Sequence, residues 1–273
     1  MLFRHENLGP NIGVFSVLRV IEEGVVVEVK YFVFPGGEVH LNYISNRPTS
    51  SKVAVQASIK SSNDLMALML LSDTLQRQEK SITLELDYLP YARQDRVCTK
   101  GDPFSLRVLA SMLNSCKFTE VVVSDPHSNV SKQLVDRMSA IPQLECLPKE
   151  VKRIAMEATL VSPDKGATLK TLAIANMFNS PSVSQAHKVR DPKTGNITAT
   201  TTDHGDYFGQ TCLIIDDICD GGRTFIELAK VLKERNAGKV ILHVTHGIFS
   251  KGKEPLLEHI DEIYATYDWT KQL

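Results

Sequence analysis

The residues best suited to chemistry lie in a short acidic and glycine-containing segment late in the chain. It reads Ile214-Ile-Asp-Asp-Ile-Cys-Asp-Gly-Gly-Arg-Thr224, so an apolar run leads into the adjacent carboxylates Asp216 and Asp217. Carboxylates accept hydrogen bonds from paired hydroxyls such as those of a ribose. Asp220 and two glycines then precede a helical pattern, and the amides and dipole of a helix amino terminus favour a phosphate. The segment predicts a sugar-phosphate site, and a solvated acidic turn is the simpler alternative.

Two stretches of the chain share one plan of strand, polar loop, helix and second strand. The first begins with the strand-like Ile82–Leu86 and has its helical pattern over Phe104–Asn114. The second begins with Leu213–Ile215 and has its helical pattern over Phe225–Arg235. In each stretch a histidine is expected at the end of the second strand. The repetition predicts an α/β protein with two halves, each a mostly parallel sheet flanked by helices.

The division between the halves is expected where chain-breaking residues gather. Ile141-Pro-Gln-Leu and Leu147-Pro-Lys are of this kind, so we expect domains at residues 1–145 and 146–273. The polar run from Ser180 to Gly209 has little periodicity. We interpret it as a loop or flap over a site, with a hairpin around Lys193–Asn196.

Composition excludes several classes of protein. The 273 residues carry 31 basic and 32 acidic side chains, for a net charge of -1, which gives no sign of a nucleic-acid-binding face. Apolar runs are strand-sized, and the amino terminus lacks a signal-peptide pattern. We therefore expect a cytoplasmic protein with no nucleic-acid or membrane partner. The five widely spaced cysteines predict neither a disulfide framework nor a zinc site: Cys98, Cys116, Cys146, Cys212 and Cys219.

Several further motifs have chemical meaning of their own. Arg93 and Arg96 flank Gln94 and Asp95, and guanidinium groups pair with phosphate oxygens, although a salt-bridged helix cap would use the same residues. His127 would be read alone as a core histidine, yet Asp125 beside it and Asp164 elsewhere in the chain offer oxygen ligands of the kind that magnesium takes.

These motifs occur in one order between about Phe34 and Tyr267. They are Phe34-Pro-Gly-Gly-Glu38, Tyr91-Ala-Arg-Gln-Asp-Arg96, Asp125-Pro-His127, Ser162-Pro-Asp-Lys-Gly166, Lys188-Val-Arg190, Gly205-Asp-Tyr-Phe-Gly209, the acidic segment and Thr245-His-Gly-Ile-Phe-Ser250. In this series the chain resembles the ribose-phosphate diphosphokinases, which make phosphoribosyl diphosphate. More distantly it resembles the type I phosphoribosyltransferases, which share the acidic segment. The resemblance implies two tandem phosphoribosyltransferase-like domains, with ATP-binding motifs in the first.

The resemblance also implies a reaction and roles for individual residues. The anomeric hydroxyl of ribose 5-phosphate would attack the β-phosphorus of ATP bound with Mg²⁺, and AMP would leave. Lys188 and Arg190 would be catalytic residues on a flexible loop, although a basic pair there is otherwise a solvated face. Phe34 and Glu38 would contact adenine from a neighbouring subunit, so a homo-oligomer is implied. The ATP site would further use Arg93, Gln94, Asp95, Arg96 and His127, the metal His127 and Asp164, and the ribose phosphate Asp216, Asp217, Asp220, Gly221, Gly222, Arg223 and Thr224.

Departures from the family pattern lie at positions that would contact substrates. Where the family usually has Asp-Thr-Gly-Gly-Thr, this chain has Asp220-Gly-Gly-Arg-Thr224. Arg223 would suit either a 5-phosphate or a larger acceptor such as ADP-ribose, and both remain open here. Gly36 replaces an aspartate, which leaves nucleotide selectivity open. Residues 1–33 lack the family's opening pattern, which puts the usual oligomer contacts and phosphate regulation in doubt.

Two other classes of protein are alternatives to a ribose-phosphate diphosphokinase. A phosphoribosyltransferase would share the acidic segment but would not need Arg93 to Arg96. A catalytically silent regulatory relative is expected to have lost the basic pair or the metal residues, whereas Lys188, Arg190, His127 and Asp164 are all present.

Overall fold

The computed structural model describes residues 18–190 and 197–270, and the side chains of all of these except 188–190 and 197–199. The described residues form two compact units, one ending at Pro142 and the other beginning at Gln143. The sequence predicts this division slightly later in the chain, between residues 145 and 146. The hairpin turn predicted around Lys193–Asn196 lies outside the described residues.

The first unit is built on a six-stranded sheet in the order β2-β1-β5-β6-β7-β8. Strands β5 to β8 are parallel, whereas β1 runs antiparallel to both β2 and β5. Strands β3 and β4 form a separate antiparallel hairpin. The elements are β1 (Leu18–Glu22), β2 (Val25–Val29), β3 (Tyr31–Val33), β4 (Val39–Leu41), β5 (Lys52–Ala57), α1 (Ser62–Arg77), β6 (Ser81–Leu86), α2 (Ser105–Ser115), β7 (Glu120–Ser124), α3 (Asn129–Leu134) and β8 (Met138–Ile141).

The second unit is built on a six-stranded sheet in the order β11-β10-β9-β12-β13-β14. Only β11 is antiparallel to its neighbour. The central β12 is buried from Cys212 to Ile215, as expected where helices cover both faces of a parallel sheet. The elements are α4 (Gln143–Cys146), α5 (Lys149–Ala155), β9 (Thr159–Ser162), α6 (Thr168–Phe178), β10 (Ser182–Arg190), β11 (Ile197–Thr202), β12 (Thr211–Cys219), α7 (Arg223–Glu234), β13 (Lys239–Gly247), α8 (Glu254–Leu257) and β14 (Glu262–Asp268).

The repeated plan read from the sequence is present in both units. In the first, β6 leads through a loop and α2 to β7, and in the second β12 leads through a loop and α7 to β13. In both cases the two strands are parallel neighbours. The predicted α/β fold, with two mostly parallel sheets flanked by helices, is confirmed.

Three local expectations were wrong. The polar run from Ser180 to Gly209, which is interpreted from the sequence as a loop or flap, contains β10 and β11. Their backbone groups form hydrogen bonds to neighbouring strands. The strand predicted to end at Ile215 continues to Cys219, paired along its length with β13. The two histidines are also not equivalent. His246 is buried within β13 and stacks on the Tyr267 ring with 5.7 Å between centroids, whereas His127 is exposed beyond the end of β7.

Within the part of the chain that the structure describes, no helix is long and apolar enough to cross a membrane.

Candidate active site

The predicted phosphate loop is the shortest connection between a strand and a helix at the carboxyl edge of the second sheet. Residues 220–222 join β12 to α7, and the Gly222 carbonyl accepts hydrogen bonds from the amides of Phe225 and Ile226 at 3.0 and 3.1 Å. The N-cap residue is Gly222, which has no side chain to cap the helix. An amino terminus without a side-chain cap can offer its first amides to an anion.

Position 222 requires glycine for two reasons. Its φ of 77° lies in the left-handed region, which residues with a Cβ enter at a cost. A Cβ at this position would also lie 2.8 Å from Cδ2 of Leu256, which is buried on α8. Helix α7 is fixed by an apolar face, because Phe225 and Leu228 are buried with Leu232 against the sheet. Loop and helix therefore form a packed support for the predicted phosphate.

The carboxylates Asp216 and Asp217 lie within the second half of the central strand β12, directly after its apolar part. The side-chain amide of Gln143 donates to the Asp216 carbonyl at 2.7 Å, and the Asp217 amide donates to Asp216 Oδ1 at 2.9 Å. Burial raises the pKa of Asp216 well above its usual range, and the charges of Asp217 and Asp164 raise it further. Lys170 Nζ lies 4.0 Å from Asp217 Oδ2. Carboxylates in this setting can accept hydrogen bonds from the hydroxyls of a ribose.

Asp164 follows β9, the strand beside β12, and is thereby brought near Asp216. Its Oδ1 accepts hydrogen bonds from the amides of Gly166 at 2.8 Å and Ala167 at 3.1 Å, just before α6 begins. The predicted metal residue thus also has a local role in shaping this turn.

The carboxylates of the second unit can be compared with the ligands that magnesium needs. Among the described residues, no three or more His, Cys, Asp or Glu side chains are grouped so as to hold a metal ion by themselves. Magnesium normally uses one or two protein carboxylates and takes its other ligands from water and substrate phosphates. Asp164 and Asp216, whose like charges oppose each other, fit such a partial ligand set.

The predicted ATP-binding arginines lie in the first unit, in the long connection from β6 to α2. Tyr91 has a left-handed φ of 60°, and its carbonyl accepts a hydrogen bond from the Gln94 amide at 2.9 Å. Arg93, Gln94 and Arg96 are exposed, and Arg96 Nε lies 3.6 Å from Oδ1 of the partly buried Asp95. Exposed guanidinium groups on a folded turn can contact a polyphosphate without a large desolvation cost.

The predicted adenine residues lie on the separate hairpin of β3 and β4. The Phe34 amide donates to the Glu38 carbonyl at 2.8 Å, so both residues belong to one turn. Phe34 is 47% exposed and contacts Phe32 edge-on, with 5.0 Å between ring centroids. A Cβ at Gly36 would lie 2.5 Å from Glu38 Oε2, so the missing side chain leaves room for the Glu38 carboxylate.

Three further predicted site residues are His127 in the first unit and Lys188 and Arg190 in the second. His127 lies two residues after Asp125. Asp125 is buried and has a φ of 39°, and its amide donates a hydrogen bond to the Ile141 carbonyl at 2.8 Å. Lys188 and Arg190 lie on β10, where their backbones pair with Thr200 and Ile197 across a bulge. Their side chains are outside the described residues.

Sequence reasoning missed three residues of these sites. Asp87 follows β6 as Asp216 follows the apolar part of β12, and that parallel was a usable signal. Burial raises the pKa of Asp87 to about 6, against the lowering effect of a hydrogen bond from Ser58. Gln143 and Lys170 act across the fold on the acidic pair, and no local pattern in the sequence predicts this.

Comparison with known proteins agrees with this arrangement. The N-terminal domain of ribose phosphate pyrophosphokinase matches residues 22–116, and the phosphoribosyl transferase domain matches residues 149–269. A ribose-phosphate pyrophosphokinase of Corynebacterium efficiens is 31% identical over 223 residues, covering 80% of this chain and 68% of the relative. The Pyrococcus furiosus enzyme of that name is 28% identical over 253 residues, covering 91% and 88%.

A solved structure gives the same result for the fold. The crystal structure of phosphoribosylpyrophosphate synthetase from Mycobacterium smegmatis superposes with a TM-score of 0.76 at 25% identity, covering 90% of this chain and 83% of that one. Both domains, in the same order, and relatives above 30% identity lead to one conclusion. The chain belongs to the ribose-phosphate pyrophosphokinase family.

Proposed function

We propose that the protein transfers the diphosphate of ATP to the anomeric hydroxyl of ribose 5-phosphate, giving phosphoribosyl diphosphate and AMP. The hydroxyl oxygen forms a bond to the β-phosphorus, the bond from that phosphorus to the α-phosphate oxygen breaks, and a proton is released. The observation that carries the proposal is the acidic pair followed by the glycine loop and the start of α7, in a member of this family.

The acceptor is held by the second unit. Asp216, Asp217 and Asp220 accept hydrogen bonds from the ribose hydroxyls, since carboxylate oxygens are acceptors. The 5-phosphate binds to the amides at the start of α7 and to Arg223. A pocket that reads both ends of ribose 5-phosphate leaves the anomeric hydroxyl as the reacting group.

ATP is held by residues of the first unit. Arg93 and Arg96 contact the polyphosphate, with Gln94, Asp95 and His127 beside them. Mg²⁺, brought with ATP, would neutralise phosphate charge, and the metal residue predicted in this unit is His127. Phe34 and Glu38 contact the adenine of a neighbouring subunit in a homo-oligomer, which the exposure of Phe34 on its hairpin supports.

Lys188 and Arg190 stabilise the charge that develops on the transferred group, because positioning and electrostatics provide most of the catalysis in phosphoryl-type transfer. Their place on β10 supports this role, since β10 neighbours β9 and β9 neighbours β12. All five cysteines are free thiols, which supports action in a reducing compartment such as the cytoplasm.

The test is a measurement of AMP release with different acceptors. Ribose 5-phosphate should support turnover and yield a product with a diphosphate at C1 by ³¹P NMR, whereas ribose, which lacks the phosphate, should not. ADP-ribose serves as a third acceptor, because Arg223 would accommodate its second phosphate. The names of the relatives support ribose 5-phosphate, so we expect little turnover of ADP-ribose. Faster AMP release with ADP-ribose than with ribose 5-phosphate would reject the proposed acceptor.

A further inference from the structure

The turn after β13 is held against the end of β12 by backbone hydrogen bonds. The amides of Ile248 and Phe249 both donate to the Cys219 carbonyl, at 2.9 and 3.1 Å. Gly252 then donates to the Phe249 carbonyl at 2.8 Å, which closes the turn. Cys219 directly precedes the phosphate loop, so residues 248–252 are fixed beside that loop.

Lys251 projects from this turn onto the phosphate loop. Its Cε and Cδ lie 3.7 and 3.8 Å from the point that a Cβ on Gly221 would occupy. The ammonium is one bond, about 1.5 Å, beyond Cε. Because Gly221 has no side chain, nothing from that residue stands between the lysine stem and the loop backbone.

Lys251 differs from the next lysine in the chain in how its charge is used. Lys253 pairs with Asp268 and lies 4.9 Å over the ring of Phe249, so it holds the turn together. Lys251 is exposed, and no ion pair within residues 18–190 and 197–270 includes it. Its charge has no structural use in that part of the chain and remains available to a ligand.

The charges around the loop explain why a cation is needed there. Asp217 and Asp220 lie in the same short segment, and carboxylate charge there opposes the approach of a phosphate dianion. The dipole of α7 offsets part of this, and Arg223 is at the first position of the helix. A second cation beside Gly221 would add a charge-assisted hydrogen bond to the phosphate.

We propose that Lys251 binds the 5-phosphate of the acceptor from the side of Gly221, and thereby helps to select phosphorylated sugars. The assignment rests on the proposed function, since it takes ribose 5-phosphate as the acceptor. It makes Lys251 a binding residue, which acts on affinity for the acceptor and leaves the ATP site unaffected.

The test replaces the ammonium while keeping the stem. Lys251→Met should raise the KM for ribose 5-phosphate about tenfold, as expected for one lost charge-assisted bond, with kcat and the KM for ATP unchanged. Lys251→Arg should restore most of the affinity. Lys230→Met serves as the control, because Lys230 is exposed on α7 and pairs with Glu227, and it should behave as the wild type. Equal KM values for Lys251→Met and the control would overturn the assignment.

Direct binding separates this assignment from the proposed function. Isothermal titration with ribose 5-phosphate should show about tenfold weaker binding to Lys251→Met than to the wild type, and a smaller loss of affinity when salt is added. If the wild type binds ribose 5-phosphate but shows no turnover, the proposed function fails while the binding comparison still decides the role of Lys251. Equal affinity in both proteins, or no binding to either, would overturn it.

Discussion

In the first unit the chain uses residues 87–104 to pass from β6 to α2, whereas in the second it uses only residues 220–222 to pass from β12 to α7. The long connection folds back on its own helix, since the Leu106 amide donates to the Gln94 carbonyl at 3.3 Å. The short connection ends in Gly222, which has no side chain to cap α7. One plan thus produces one helix start that is used internally and one that is open to a ligand.

The comparison teaches how one architecture can hold two phosphate compounds. Where the connection is short, backbone amides and a glycine can bind a small terminal phosphate closely. Where it is long, exposed side chains such as Arg93 and Arg96 can reach a longer polyphosphate. Both halves keep an acidic residue with a raised pKa directly after the apolar part of the strand, Asp87 after β6 and Asp216 within β12.

The largest effect is expected from Lys188→Ala, which tests whether the second unit provides a catalytic residue. Loss of a charge that stabilises the transferred group should lower kcat by about 10²–10³-fold, with ATP still bound. Steady-state kinetics and a fluorescent ATP analogue would measure the two quantities. Unchanged turnover would remove Lys188 from the catalytic residues.

Next in size is Gly222→Ala, which tests the open helix start. The left-handed φ and the contact with Leu256 should together lower the free energy of unfolding by about 2–4 kcal/mol, and the KM for ribose 5-phosphate should rise. Gly209→Ala is the matched control, because Gly209 has a φ of 74° but open space around it. It should cost only the backbone strain, about 1–2 kcal/mol. Equal losses in urea denaturation would show that the Leu256 contact is unimportant.

A smaller effect is expected from Asp87→Asn, and it depends on pH. The folded pKa of about 6 lies above the usual 3.8, so the folded protein holds this proton more tightly than the unfolded chain. Stability is therefore lost as pH rises from about 4 through 6, by at most about 3 kcal/mol. Asp87→Asn should exceed the wild type in stability at pH 7.5 and lose this advantage near pH 4. The exposed Asp136→Asn should show no such trend.

The smallest effect is expected from Arg96→Ala, which tests the long connection. Its side chain is 80% exposed and its pairing with Asp95 is loose, so the fold should not change. The KM for ATP should rise about tenfold while that for ribose 5-phosphate stays constant. Arg77→Ala, another exposed arginine paired with an aspartate, is the control. A change in the KM for ribose 5-phosphate instead would contradict the division of ligands between the units.

Local periodicity predicted the repeated plan and the apolar face of α7, since Phe225, Leu228 and Leu232 recur at helical spacing. It failed for β10 and β11, whose polar and threonine-rich residues carry no apolar alternation and are ordered by pairing with β9 and with each other. A strand that takes its stability from neighbours has little signature of its own.

Site residues, like strands and helices, were predictable only where a local pattern in the sequence marks them. The acidic segment was found because its residues are adjacent in sequence, as were the arginines from Arg93 to Arg96. Gln143 lies 73 positions before the carbonyl it binds, and Lys170 reaches Asp217 from another element. Lys251 meets Gly221 only because its turn is bonded to Cys219. Such partners depend on tertiary folding and leave no local pattern to read.

The closeness of Gly222 to Leu256 also limits how this sequence can change over time. A substitution at 222 would require a shorter side chain at 256 together with tolerance of the left-handed backbone, so neither change alone is easily accepted. The short helix α8 is thereby tied to the phosphate loop as a pair of positions that should vary together. Relatives with a side chain at the first position are expected to carry a smaller residue at the second.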